Sequence, residues 1–140
     1  PRSTPLYSSA ASDVYKRQYY VPSGTHTFQG TTTGYAANYG TTSRTGSCTG
    51  WQQDGSDAVY RIDLAMGQRL DATLTSTWDG ALYLMTDCGQ SATSCVAGRD
   101  AGNPETLSFT NTGARRTYYL VVDAWRTGIS GNYSLAITVP

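Results

Sequence analysis

From Asp57 to the C-terminus, apolar residues recur at every second position in short runs that glycine-bearing turns interrupt. A side-chain period of two belongs to a strand with one buried face, and a helix cannot sustain it. In "DAVYRIDL", Ala58, Tyr60, Ile62 and Leu64 share one face, and Asp57, Arg61 and Asp63 take the other. "RLDATLTSTW" repeats the pattern: Leu70, Ala72, Leu74 and Trp78 point inward, with Asp71, Thr73, Thr75 and Thr77 outward. "ALYLMT" and "ETLSF" follow, then "RTYYLVVDAW", which is apolar on both faces and reads as a central strand. "GNYSLAITV" ends the series with Tyr133, Leu135, Ile137 and Val139 inward. "MGQ", "WDG", "GNPE", "NTGA" and "RTGISGN" are the turns between them. Upstream, a strand is expected near Thr25 to Gln29, and a long, weakly patterned loop from Gly30 to Gly50. Strands at this spacing predict an all-β single domain, a sandwich of two antiparallel sheets.

The first stretch, "PRSTPLYSSAASDVYKRQ", shares none of this pattern. Ser8 to Gln18 resembles the codon-for-codon translation of a transposon adapter used in sequencing libraries. Pro1 to Thr4 resembles the end of the primer that precedes it, with Pro5, Leu6 and Tyr7 where a sample index would fall. Lys16 is the single lysine of the chain, and every basic residue after Gln18 is arginine. Residues 1–18 are therefore expected to be adapter-derived and disordered, and are set aside from the fold. Residues 19–140 are the domain, and the N-terminus of its parent protein is expected to be missing.

Without that segment, seven basic and nine acidic side chains remain. Such a balance offers no basic stripe for a phosphate backbone, so nucleic acid is not an expected partner. No apolar run approaches the roughly 20 residues that a membrane helix needs, and membrane insertion is not expected. Low charge with abundant Thr, Gly, Ser and Tyr agrees with an all-β domain whose surface is hydrated through hydroxyls.

Cys88 and Cys95 bracket "GQSATS" in polar turn sequence between two expected strands. A disulfide closing so short a loop contributes roughly 2–3 kcal/mol and implies an oxidising compartment. Cys48 is left unpaired, either free or bonded to a residue of the missing portion. The three cysteines and His26 lack the close pairs of a zinc site.

No catalytic residue is assigned. His26 is the sole histidine, no "GxSxG" is present, and a Ser-His-Asp arrangement needs both a strained nucleophile turn and an orienting carboxylate. No cofactor is required, and calcium is the one ion the loops could take. Asp54 and Asp57 in "QQDGSDAVY" are the expected ligands, from a pool that includes Asp79, Asp87, Asp100 and Asp123. Trp51 and Trp125 stand in turn contexts, with Tyr35 and Tyr39 in the long loop. These rings either pin the loop to the sandwich or stack on sugars as ligand-binding aromatics. Trp78, in phase with Leu70 and Leu74, is expected in the core.

"GSDAVYRIDL", "GQRLDATL", "DGALYLMTDC", "SCV", "YYLVVDAW" and "GNYSLAITV" stand in the order of a known pattern. Over about residues 24–139 the chain resembles the bacterial pre-peptidase C-terminal domain family. Trp125 occupies a position where that family often has glycine. The resemblance implies a jelly-roll-like β-sandwich that is extracellular or at the cell surface. It further implies a non-catalytic accessory role beside a covalently linked catalytic domain, such as an extracellular protease. The rival expectation is a module that binds carbohydrate or a protein polymer through its loop aromatics.

Overall fold

The computed structural model describes residues 19–33, 58–87, 94–100, 104–124 and 130–140. They form nine strands: β1 (Tyr19–Val21), β2 (Gly24–Thr31), β3 (Ala58–Leu64), β4 (Arg69–Ser76), β5 (Gly80–Met85), β6 (Cys95–Arg99), β7 (Glu105–Thr110), β8 (Arg116–Ala124) and β9 (Asn132–Val139). One sheet has the order β1-β3-β8-β5-β6, the other β2-β9-β4-β7. Every pairing is antiparallel except that of β1 with β3. Apart from β5 and β6, consecutive strands alternate between the sheets, as the wrapping of a jelly roll requires. The fold is the all-β sandwich that the alternation predicts.

The inward residues of β3, β4 and β9 are those expected from the pattern, and they meet Leu82, Leu84, Leu107, Tyr118, Leu120 and Val122 in one apolar core. Each fully buried leucine of this set contributes roughly 1.5–3 kcal/mol over an exposed one. A polar contact runs through the apolar layer. The Tyr60 and Tyr133 hydroxyls lie 2.7 Å apart across the two sheets, and burial holds the Tyr133 phenol above its ordinary pKa. Tyr60 is also stacked by Tyr19 and met by a tilted Phe28 ring, at centroid separations of 5.3 and 5.1 Å.

Around β8 the outer face of its sheet is buried as well. Val59, Tyr83, Met85, Tyr119 and Val121 form a second apolar cluster there, separate from the inter-sheet core. β8 is thus the central strand its two-faced sequence predicts.

Two joints hold the sheets at one end. Gly67 adopts φ 81° in the β3–β4 turn, where Gln68 N–H donates to the Ala65 carbonyl at 3.1 Å. That is the third position of a type II turn, which favours glycine. Asn111, 2% exposed, follows β7 and uses its whole amide. Its Nδ2 donates to the carbonyls of Leu64 and Ala114 at 2.9 and 3.1 Å. Its Oδ1 accepts from the Tyr118 hydroxyl at 2.8 Å and from Gly113 N–H at 3.2 Å.

Candidate functional site

At the opposite end the topology draws three carboxyl groups together. Asp79 lies in the β4–β5 turn, Asp100 follows β6, and Glu105 opens β7; one carboxylate oxygen from each lies within 4.8 Å of the other two. Carboxylates this close repel, so the group either retains a proton or takes a cation. Burial, then the charges of Asp79 and Glu105 and a hydrogen bond with Glu105, push the Asp100 carboxyl up to about 6. Glu105 is 2% exposed while Asp79 is solvent-facing, so the trio runs from interior to surface.

Neighbouring residues fix each member. Ser76 Oγ donates to the Trp78 carbonyl at 2.7 Å, and the Trp78 indole N–H donates to the Asn132 carbonyl at 3.0 Å. The β4–β5 turn that carries Asp79 is thereby tied to the start of β9. Gly131 makes the fit possible: at φ 155°, a Cβ there would stand 2.8 Å from the Trp78 indole nitrogen. Beside Asp100, Arg99 Nε donates to the Thr106 carbonyl at 3.2 Å, binding the end of β6 to β7 next to Glu105. Three carboxylates are a hard-oxygen donor set of the kind calcium takes.

Asp79 and Asp100 belong to the pool of loop aspartates named from the sequence; Glu105 does not. It opens a strand, and its one local signal is its place directly after the "GNP" turn. Asp123 is fully buried in β8. Its Oδ2 accepts from the Tyr83 hydroxyl at 2.6 Å and its Oδ1 from Ala124 N–H at 2.7 Å. Asp87 is half-buried after β5, and its N–H donates to Ser94 Oγ at 3.1 Å. His26 stands on β2 with Nε2 3.1 Å from the Ser23 carbonyl. Trp78 packs half-buried against the core, as its phase predicts.

Asp54, Asp57, Trp51, Trp125, Tyr35, Tyr39, Cys48 and Cys88 lie outside the described residues. Cys95 lies in strand β6 where turn sequence was expected, with its sulfur 3.6 Å from the Ala97 carbonyl. A cleft at the other end of the sandwich, lined by Tyr20, Asp63, Met66, Arg69 and Arg115, had no signal in the sequence.

No family model matches the chain, and no curated protein matches it. Solved structures do. The pre-peptidase C-terminal domain of a collagenase from Bacillus anthracis matches with a TM-score of 0.56 at 15% identity, over 86% of this chain and 94% of that one. PliG of Aeromonas hydrophila, a periplasmic inhibitor of g-type lysozyme, matches with a TM-score of 0.56 at 10% identity, over 88% and 96%. At these identities the likeness is one of fold: this chain is built as the same kind of two-sheet sandwich as both proteins.

Proposed function

We propose that residues 19–140 are a non-catalytic accessory domain of a secreted or surface bacterial protein, carried beside a catalytic domain such as an extracellular protease. One observation carries this reading. The sandwich matches the pre-peptidase C-terminal domain of a collagenase over nearly the whole of both chains, and the ordered motifs of the sequence resemble that family independently. In this reading residues 1–18 are adapter sequence, Cys88 is the disulfide partner of Cys95, and Asp79, Asp100 and Glu105 take calcium. A long sequencing read across the source locus tests the assignment. The expected result is an in-frame catalytic domain upstream and no "SSAASDVYKRQ"; a free-standing gene that encodes that peptide overturns it. Calcium is tested apart, by melting the protein in excess calcium and in chelator. A ligand that binds only the native state raises the melting temperature, and equal temperatures reject the site.

A second reading has its own support, since PliG uses this kind of sandwich and is an inhibitor of a protein. In that reading the domain binds a polysaccharide or a protein polymer through Trp51, Trp125, Tyr35 and Tyr39. Pull-down on insoluble polysaccharide and on collagen checks it. Retention that Trp51→Ala and Trp125→Ala abolish in a folded protein favours binding, and unaltered retention or none excludes those rings.

A further inference from the structure

A strand at the edge of a sheet presents unpaired N–H and C=O groups, and proteins normally blunt such edges with short strands, bulges, charges or cover. The described part of this molecule has four edge strands, and three of them are blunted. β1 is only three residues long. β6 pairs with β5 through a register shift at Leu84 and Met85. β7 receives the Arg99 guanidinium on its Thr106 carbonyl.

Among the described residues β2 has none of these devices. It runs for eight residues, "GTHTFQGT", with no Lys, Arg, Asp, Glu or Pro. Its ladder with β9 is unbroken from Gly24 opposite Val139 to Thr31 opposite Asn132. Among the described residues no strand lies on its other side. In an antiparallel ladder every second residue turns its N–H and C=O away from the partner, so β2 offers a regular row of them. The same flank of the sandwich leaves apolar ring surface in water: Tyr19, stacked on Tyr60 beside Phe28, is 44% exposed.

We propose that β2 is the docking edge for a second copy of this chain, the two β2 strands pairing antiparallel about a two-fold axis at Thr27. That axis sets Thr25 opposite Gln29 and His26 opposite Phe28 of the other copy. Residues opposed in an antiparallel ladder share a face, so each half-buried ring stays on the inner side and each hydroxyl or amide on the outer. The edge is uncharged, so self-pairing brings no like charges together, and nothing in it selects a partner of opposite charge. The product is one continuous eight-stranded sheet with an isologous interface, the commonest symmetry of soluble oligomers.

Light scattering after size exclusion, over a concentration series of the full chain, reads the oligomeric state. Thr27→Lys sets two ammonium groups opposite each other on the exposed face. Ala136→Lys adds the same charge to the same face one strand inward, opposite Thr27 on β9. The expected result is a dimer whose Kd rises about fivefold or more in Thr27→Lys and is unchanged in Ala136→Lys, with both variants melting cooperatively. A monomer at every concentration, or a dimer indifferent to Thr27→Lys, overturns the proposal. So does a monomer whose β2 amides exchange slowly, because the edge is then covered from within.

Discussion

The two sheets share one core and differ in what lies behind it. In the sheet of β2, β9, β4 and β7 the outer positions are polar and accessible. Thr25, Thr27, Thr75 and Ala136 are exposed, and Ser108 Oγ donates to Asp71 Oδ1 at 2.6 Å, with Arg69 Nε adding a second donor at 3.0 Å. In the sheet of β1, β3, β8, β5 and β6 the outer positions at its centre are buried too, from Val59 on β3 through Tyr119 and Val121 on β8 to Tyr83 and Met85 on β5. One sheet thus acts as a wall between core and water, the other as a layer inside the protein. Substitutions at outward positions should therefore have opposite consequences in the two sheets, although the backbone geometry is the same.

The harshest test is Val121→Asp. Val121 has 0% exposure on the outer face of β8, and an unpaired carboxylate there should cost about 4 kcal/mol or more. Urea unfolding is expected to show no cooperative transition for this variant; near-native stability would mean that the second face is open to water. Next comes the neutral joint between the sheets. Asn111→Ala strips partners from the Leu64 carbonyl and the Tyr118 hydroxyl together, a loss of about 3 kcal/mol in the same assay. A loss below about 1 kcal/mol would show that the two sheets do not depend on this amide. Tyr83→Phe probes the polar group within the second face. It removes one short bond to the buried Asp123 carboxyl and should cost about 2 kcal/mol.

The acidic joint responds to pH, with a smaller effect because Asp79 keeps it in contact with water. The folded pKa of Asp100 is raised, from 3.8 to about 6, so the native state binds more protons than the unfolded chain between those values. The stability this confers is complete below the unfolded pKa and is lost as pH rises through the folded one. Measured without calcium, the melting temperature of the wild type relative to Asp100→Asn should fall from pH 4 to pH 7. Bound calcium should remove that fall, because it replaces the proton among the three carboxylates. A difference that does not vary with pH would mean that Asp100 titrates normally.

The contrast between the sheets also explains what could be read beforehand. β4 and β9 alternate cleanly because water lies on one side of them, and their inward residues followed from the pattern alone. β3 looked one-sided because Arg61 and Asp63 flank its outer face, yet Val59 between Ala58 and Tyr60 is buried. β1 and β6 had no signal of their own: "YYV" is too short to show a period, and "CVAGR" is a strand because β5 offers it an edge. The acidic trio was legible in part. Loop position marked Asp79 and Asp100 as oxygen donors, but only the meeting of β7 with the β4–β5 turn recruits Glu105. Asn111 read as a turn residue, and its four amide bonds depend on strands far away in sequence.

The smallest effect is the one that most directly separates the sheets. Ala136 sits on β9, a central strand like β8, and its Cα neighbours are Thr27 on β2 and Thr73 on β4. By strand position alone, Lys at 136 should be as damaging as a charge at 121. By exposure it should not, because the side chain leaves a polar, hydroxyl-lined face into water and its stem can lie along the flanking threonines. Ala136→Lys is accordingly expected to change stability by no more than about 0.5 kcal/mol, the range of ordinary surface substitutions. If urea unfolding instead gave a loss of several kcal/mol, this face would also be covered, and the division into a wall and an inner layer would fail. If the change is within that range, centrality in a sheet does not decide tolerance to charge; what lies behind the strand does.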